Sequence, residues 1–142
     1  MMHSIVYGNH PALKQIAVPV DPYQDRKGII DQMFHLMEQG RGIGLAANQI
    51  GVLERIIVMD CSGQRIAIIN PEIIKFAGGK QTSKEGCLSF PGARRLRIRY
   101  GVVHVTGYDP DWQPISRKFK GLRAFVIQHE IDHLNGRTIM DN

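Results

Sequence analysis

The sequence predicts an α+β fold in which antiparallel strands pack around a C-terminal helix, with an amphipathic helix near the N terminus. Three observations predict this fold. Apolar residues recur at helical spacing before residue 40, and short β-branched runs fill the middle of the chain. Helical spacing then returns in the last stretch, which carries the H-E-x-x-H pattern of His129, Glu130 and His133.

Length and composition restrict the class of protein. The chain has 142 residues, of which 43% are hydrophobic and 22% are charged, so we expect one globular domain over residues 1–142. No apolar run is long enough to span a bilayer and no signal peptide is evident, which favours a cytoplasmic location without membrane contact. Two cysteines are too few for a disulfide framework. The net charge of +5 hints at an anionic partner.

The helices are predicted from periodicity. Apolar residues from about Asp25 to Gly40 recur at three and four residues, which indicates an amphipathic helix that ends at Gly40. A short helical turn opens near Pro11. The same spacing from Leu122 to Leu134 predicts the last helix, which should pack on a sheet.

The strands are predicted from β-branched runs bounded by turn signals. Ser-Gly, Asn-Pro and Gly-Gly pairs are expected to separate the first three of them as antiparallel strands. The predicted strands lie at 55–60, 65–69, 72–76, 94–100, 101–109 and 112–121.

The H-E-x-x-H pattern predicts a metal site. Residues i and i+4 of a helix lie on one face about 5–6 Å apart, so His129 and His133 can bind one divalent ion. Glu130 lies beside that face, near enough to take a proton from water. Such a site often takes its third ligand downstream, yet no His or Glu follows His133. The third ligand is therefore expected upstream, among the other histidines, the two cysteines and several carboxylates.

Cys87 is one candidate for that ligand. It follows Gly86 in KEGCLSFPG, and a thiolate there would complete a site of two histidines and one cysteine with a position open for water. Buried packing explains Cys87 equally well on spacing alone. Cys61 is interpreted as an ordinary small residue.

Three segments resemble the signature segments of the peptide deformylase family, in the same order and at similar separations: GIGLAANQIG (42–51), EGCLSFPG (85–92) and QHEIDHLNG (128–136). The resemblance covers nearly the whole chain. Because the chain stops at Asn142, it is similar to short, phage-encoded members without a C-terminal extension. The resemblance implies a hydrolase that removes formyl from the N-terminal formylmethionine of nascent polypeptides and releases formate.

The resemblance also implies roles for individual residues. Ferrous iron, replaceable by Zn2+, Ni2+ or Co2+, would be held by Cys87, His129 and His133. Glu130 would accept a proton from water and pass it to the departing amine. The Gln49 side-chain amide and the Leu88 backbone N–H would stabilise charge on the formyl oxygen.

Substrate binding is expected to use an apolar pocket for methionine. The predicted substrate-binding residues are Ile43, Gly44, Glu85, Gly86, Arg94, Leu122, Phe125 and Val126. The resemblance implies that Arg94 lies near the pocket mouth, where it is expected to pair with Glu85. The remaining arginines of RRLRIRY, Arg95, Arg97 and Arg99, are expected to form a solvated face.

Two rival functions are kept open. A peptidase that cuts internal bonds would need the missing downstream ligand. A non-catalytic basic module that binds RNA would hold a structural metal with four protein ligands. The expected partners are N-formylmethionyl nascent peptides and the ribosome near its exit tunnel, but not DNA, and the chain is expected to act as a monomer.

Overall fold

The structure is a computed structural model that describes residues 2–141. Its strands are β1 (Gly44–Ala46), β2 (Ile56–Cys61), β3 (Gln64–Cys87), β4 (Phe90–Tyr108) and β5 (Pro114–Lys120). Its α-helices are α1 (Lys27–Gln39) and α2 (Leu122–Leu134), and two 3₁₀ turns cover Pro11–Lys14 and Ala47–Ile50. The α+β class predicted from the sequence is confirmed.

The sheet is an antiparallel meander in which the strands lie in chain order from β1 to β5. It separates two hydrophobic clusters, because side chains of β2 alternate between its faces. Ile57 belongs to the cluster that contains Ile127 of α2, whereas Val58 belongs to the cluster that contains Met33 of α1. The two helices therefore cover opposite faces of the sheet.

Helix α1 begins two residues later than predicted and ends before Gly40, as expected. Its apolar residues Ile30, Met33 and Met37 are buried against the sheet. Helix α2 has the predicted bounds, and both Ile127 and Leu134 are fully buried. Among residues 2–141, neither helix has the length and apolar character needed to cross a bilayer.

The predicted break between strands 65–69 and 72–76 is wrong. Both runs belong to the 24-residue strand β3. The Asn-Pro and Gly-Gly pairs coincide with register shifts against β4, so they form irregularities inside a long hairpin instead of turns. Runs 94–100 and 101–109 are likewise one strand, β4. The uninterrupted hairpin carries Cys87 at its tip, where Cys87 pairs with Phe90.

The predicted solvated arginine face is also wrong at Arg99. Arg99 is 6% exposed, whereas Leu96 and Ile98 are 69% and 63% exposed. Alternation along β4 is as predicted, but the face that carries arginine at position 99 is turned toward α2. Carboxylates on β3 and α2 pair with Arg99 there, which offsets the cost of burying its charge.

Candidate active site

Three elements bring the predicted catalytic residues together. The end of β3 provides Cys87, α2 provides His129, Glu130 and His133, and the 3₁₀ turn after β1 provides Gln49. The three elements are distant in the chain, and the fold places their side chains around one point.

Cys87, His129 and His133 form one cluster that can hold a metal ion. Their ligand atoms all lie within 4.8 Å of one another, and the Cys87 Sγ is 3.3 Å from the His133 Nε2. Ligands of one ion at bond lengths of about 2.0–2.3 Å lie about 3.5 Å apart, so the donor set and spacing fit a transition metal. Within residues 2–141 this is the one such cluster, and it offers three protein ligands instead of the four of a closed structural site.

Glu85 fixes the orientation of the His129 ring. The His129 Nδ1 lies 3.0 Å from the Glu85 Oε1, which leaves Nε2 to face the cluster. Burial lowers the pKa of the His129 imidazole, but the surrounding carboxylates and the Cys87 sulfur outweigh burial and raise that pKa to about 10. An environment that attracts a proton so strongly also attracts a cation. Burial lowers the pKa of His133 well below its ordinary value, which keeps that imidazole neutral.

Arg99 holds the Glu85 carboxylate in place. The Arg99 guanidinium donates two hydrogen bonds to Glu85, of 2.9 and 2.7 Å, and a third of 2.6 Å to Asp132. Burial raises the pKa of the Glu85 carboxyl, yet its hydrogen bonds with Arg99 and His129 prevail and hold the pKa at about 2. The expected pairing of Glu85 with Arg94 is therefore wrong. Arg99 occupies that role because its face of β4 is turned toward α2.

Glu130 is a buried carboxylate with a free oxygen. Its side chain packs against Gly44, where an added Cβ would lie 2.6 Å from the Glu130 Oε2. Burial raises the pKa of Glu130 to about 7, with the Glu85 charge adding to this and the His129 charge opposing it. The Glu130 Oε1 is buried and has no hydrogen-bond partner within the described range 2–141. A carboxyl with such a pKa can both accept and donate a proton near neutral pH.

Gln49 is held with its amide nitrogen toward the cluster. Its Oε1 accepts a 3.0 Å hydrogen bond from the Ala46 backbone N–H, which fixes the flip of the amide. Its Nε2 then lies 3.5 Å from the Cys87 Sγ and 3.2 Å from the Ser89 Oγ. Because Gln49 is 1% exposed, the donor is preorganised rather than solvated.

One cavity of about 810 Å³ opens onto this site. Its volume suits a short peptide with one buried side chain. All eight predicted substrate-binding residues line it, together with Gln49, Cys87, Leu88, His129 and Glu130. His133 lies behind this lining, where its side chain is fully buried.

Three further residues belong to this site, although the sequence did not indicate their roles. Ser89 and Asp132 lie inside the recognised segments but were given no role, although each is one or two residues from a proposed ligand. Arg99 was predicted to lie on a solvent-exposed face of its strand. The sequence offered one signal for Arg99, because Glu85 needs a cationic partner and RRLRIRY carries four arginines. The sequence alone did not show which of these arginines faces inward.

A fold that joins a strand-borne cysteine to two helix-borne histidines, with a buried glutamate and a peptide-sized cavity, defines a small α+β metallohydrolase. The polypeptide deformylase family model matches residues 2–142. A peptide deformylase of Hydrogenovibrio crunogenus is 45% identical over 134 residues, covering 92% of this chain and 79% of that relative.

Solved structures of peptide deformylases resemble this chain in fold and in sequence. A deformylase from a Vibrio parahaemolyticus bacteriophage, in complex with actinonin, is 48% identical with a TM-score of 0.93 and covers 96% of this chain and 99% of that chain. An Acinetobacter baumannii peptide deformylase with Met-Ala-Ser bound is 27% identical with a TM-score of 0.92, over 98% of this chain and 96% of that one.

The chain belongs to the peptide deformylase family. Its activity is the metal-dependent removal of the formyl group from the N terminus of nascent polypeptides. The comparisons give no support to the alternative of an RNA-binding module.

Proposed function

We propose that Cys87, His129 and His133 hold the divalent ion of this deformylase and that Glu130 is its general acid and base. One observation carries this proposal. The ligand cluster, a carboxyl with a pKa of about 7 and the oriented amide of Gln49 all meet at the inner end of one cavity.

When bound, the ion supplies a Lewis acid that polarises the formyl carbonyl and makes water nucleophilic near neutral pH. Glu130 accepts the proton of the attacking water at its carboxylate, whose Oε2 lies 3.9 Å from the His129 Nε2. It then donates this proton to the methionine nitrogen as the bond to the formyl carbon breaks. The Gln49 amide and the Leu88 backbone N–H donate hydrogen bonds to the formyl oxygen as negative charge builds there.

The cavity binds the methionine of the substrate. Ile43, Phe125 and Val126 provide apolar surface for its side chain, and Leu122 lies farther out with 56% of its surface exposed. Gly44 and Gly86 allow the peptide backbone to approach closely. The Met-Ala-Ser bound by the Acinetobacter baumannii relative has the sequence of a deformylated product, which supports this assignment.

Iron is the proposed ion, with Zn2+, Ni2+ and Co2+ able to replace it, because thiolate and imidazole ligands suit all four. We place the enzyme in the cytoplasm as a monomer, near the ribosomal exit tunnel where its substrates emerge. The 142 residues would form one deformylase domain, with the metal-bearing H-E-x-x-H pattern on α2.

Formate release from formyl-Met-Ala-Ser tests the proposal. Protein purified anaerobically should release formate, and Glu130→Gln should abolish most of this activity while keeping the ion, as measured by mass spectrometry of the native protein. Glu72→Gln, at an exposed glutamate on β3, is the matched control and should behave like the unchanged protein. Loss of the ion in Glu130→Gln, or full activity, would contradict the assigned role.

A further inference from the structure

The mouth of the cavity carries a set of unpaired positive charges. Arg41, Lys84 and Arg94 line the cavity, and all three residues are exposed. We call these three residues the basic rim. Among residues 2–141, no carboxylate lies within ion-pair distance of any of them.

Acidic residues do not offset the basic rim. The cavity is lined by two carboxylates, Glu85 and Glu130, and they are only 9% and 4% exposed. Glu85 is already paired with Arg99. Among residues 2–141, the part of a substrate that extends beyond the methionine pocket therefore meets positive charge with no exposed carboxylate in the cavity lining.

Arg41 is placed at the rim by an unusual helix end. The Gly42 N–H bonds to the Met37 carbonyl and the Arg41 N–H bonds to the Glu38 carbonyl, which is the hydrogen-bond pattern of a Schellman motif. The left-handed position of this motif usually holds glycine, yet here it holds Arg41 with a φ of 58°. Arg41 therefore carries its side chain at a position where the backbone conformation favours glycine, and this side chain lies at the cavity mouth.

Arg94 is placed by a second close contact. Its guanidinium occupies the space that a side chain at position 86 would take, so it lies directly over the backbone of Gly86. Gly86 precedes Cys87, and the Arg94 head group is therefore positioned beside the entrance to the ligand cluster. Lys84 precedes Gly86 by two residues on β3, and its side chain adds a third cation to the same entrance.

We propose that the basic rim selects formylated peptides with acidic side chains in the residues that follow methionine. This inference rests on the proposed function, because it assigns the outer part of the same cavity. An exposed ion pair changes an equilibrium by about 1.4- to 5-fold. A peptide that engages two of the three rim cations should therefore gain about 2- to 25-fold in kcat/KM over its neutral counterpart.

The test compares C-terminally amidated peptides, since a free terminal carboxylate would itself engage the rim. The values of kcat/KM are measured for formyl-Met-Ala-Ser, formyl-Met-Glu-Glu and formyl-Met-Lys-Lys amides. We expect the acidic peptide to exceed the basic one by at least 10-fold at low salt. That ratio should approach one at about 1 M NaCl, where the Debye length is about 3 Å.

Two variants separate the rim from net charge. The double reversal Arg41→Glu with Lys84→Glu leaves Arg94 in its place over Gly86 and should invert the preference toward the basic peptide. The control replaces Lys14, Lys75 and Lys118 with glutamine, at exposed lysines that do not line the cavity, and should leave the preference unchanged.

Each outcome bears on a different claim. Equal kcat/KM for the acidic and basic peptides, or the same acidic preference in the double reversal, would overturn the inference while leaving deformylation intact. A loss of preference in the lysine control would show that net charge, not the rim, is responsible. Failure to release formate from all three peptides would instead overturn the proposed function.

Discussion

Replacing Glu85 with glutamine removes the negative charge between Arg99 and His129 while keeping nearly the same shape. In the unchanged protein both partners of the pair are buried, with 9% of the Glu85 side chain and 7% of the Arg99 side chain exposed. The variant leaves Arg99 with Asp132 as its remaining charged partner. We expect a large loss of stability, because a buried cation loses most of its compensation.

Two independent arguments give the size of this loss. A Glu85 pKa of about 2, against an ordinary 4.5, corresponds to about 3 kcal/mol of stabilisation by the ionised carboxylate. Removing one partner of a buried ion pair typically costs about 3–5 kcal/mol. Since Asp132 still contacts Arg99, we expect the lower end, about 3 kcal/mol.

The sign of the pH dependence follows from the lowered pKa. A carboxyl with a depressed folded-state pKa stabilises the fold above its unfolded pKa, here about 4.5, and loses this contribution as pH falls through about 2. The stability difference between the two proteins should therefore be full at pH 7 and should shrink steadily below about pH 4.5.

Urea unfolding at pH 7 measures the prediction, with both proteins treated with a chelator so that metal binding does not contribute. Glu54→Gln is the matched control, because Glu54 pairs with Arg26 at 2.8 Å but both side chains are about a quarter exposed. That control should cost less than about 1 kcal/mol. If Glu85→Gln cost no more than Glu54→Gln, the buried network would not stabilise the fold as argued.

Three further changes test the chemistry of the site. Glu130→Gln should lower kcat by about 10²- to 10⁴-fold with the metal content unchanged, and a loss below 10-fold would refute its role in proton transfer. Gln49→Ala removes a preorganised donor and should lower kcat by about 10²- to 10³-fold, whereas an effect on KM alone would contradict stabilisation of the transition state. Gly44→Ala places a Cβ 2.6 Å from both the Glu130 Oε2 and the Val126 Cγ1, so it should cost about 1–3 kcal/mol in thermal unfolding and reduce kcat. An unchanged midpoint and rate would show that the space around Gly44 is not limiting.

The juxtaposition of the two histidines and Glu130 was predictable from sequence because all three lie on one helix, a few residues apart. Helical geometry fixes where residues i and i+4 point, whatever the rest of the chain does. Cys87 was different. Its spacing was compatible with packing or with a ligand, and the resemblance to the family was needed to favour the second interpretation.

The arginines of β4 show where local patterns stop being sufficient. A period of two correctly separates the residues into two faces, but it does not say which face meets the core. That choice depends on the partners across the strand. Glu85 and Asp132 lie 14 and 33 residues from Arg99 in the chain, and together they make burial of its charge favourable.

Turn signals failed for a related reason. Asn-Pro and Gly-Gly pairs permit a turn, yet pairing with β4 resumes on both sides of each pair and keeps the backbone of β3 hydrogen-bonded. The same pairs are accommodated as register shifts, and the hairpin continues to Cys87.

The sequence by itself determined the helices, the α+β class and the helix that carries His129, Glu130 and His133, since these follow from periodicity and from groups a few residues apart. Only the tertiary structure decided that Arg99, and not Arg94, neutralises Glu85, and that three unpaired cations surround the cavity mouth. Burial and charge pairing depend on contacts between distant segments, and no pattern within one segment specifies them.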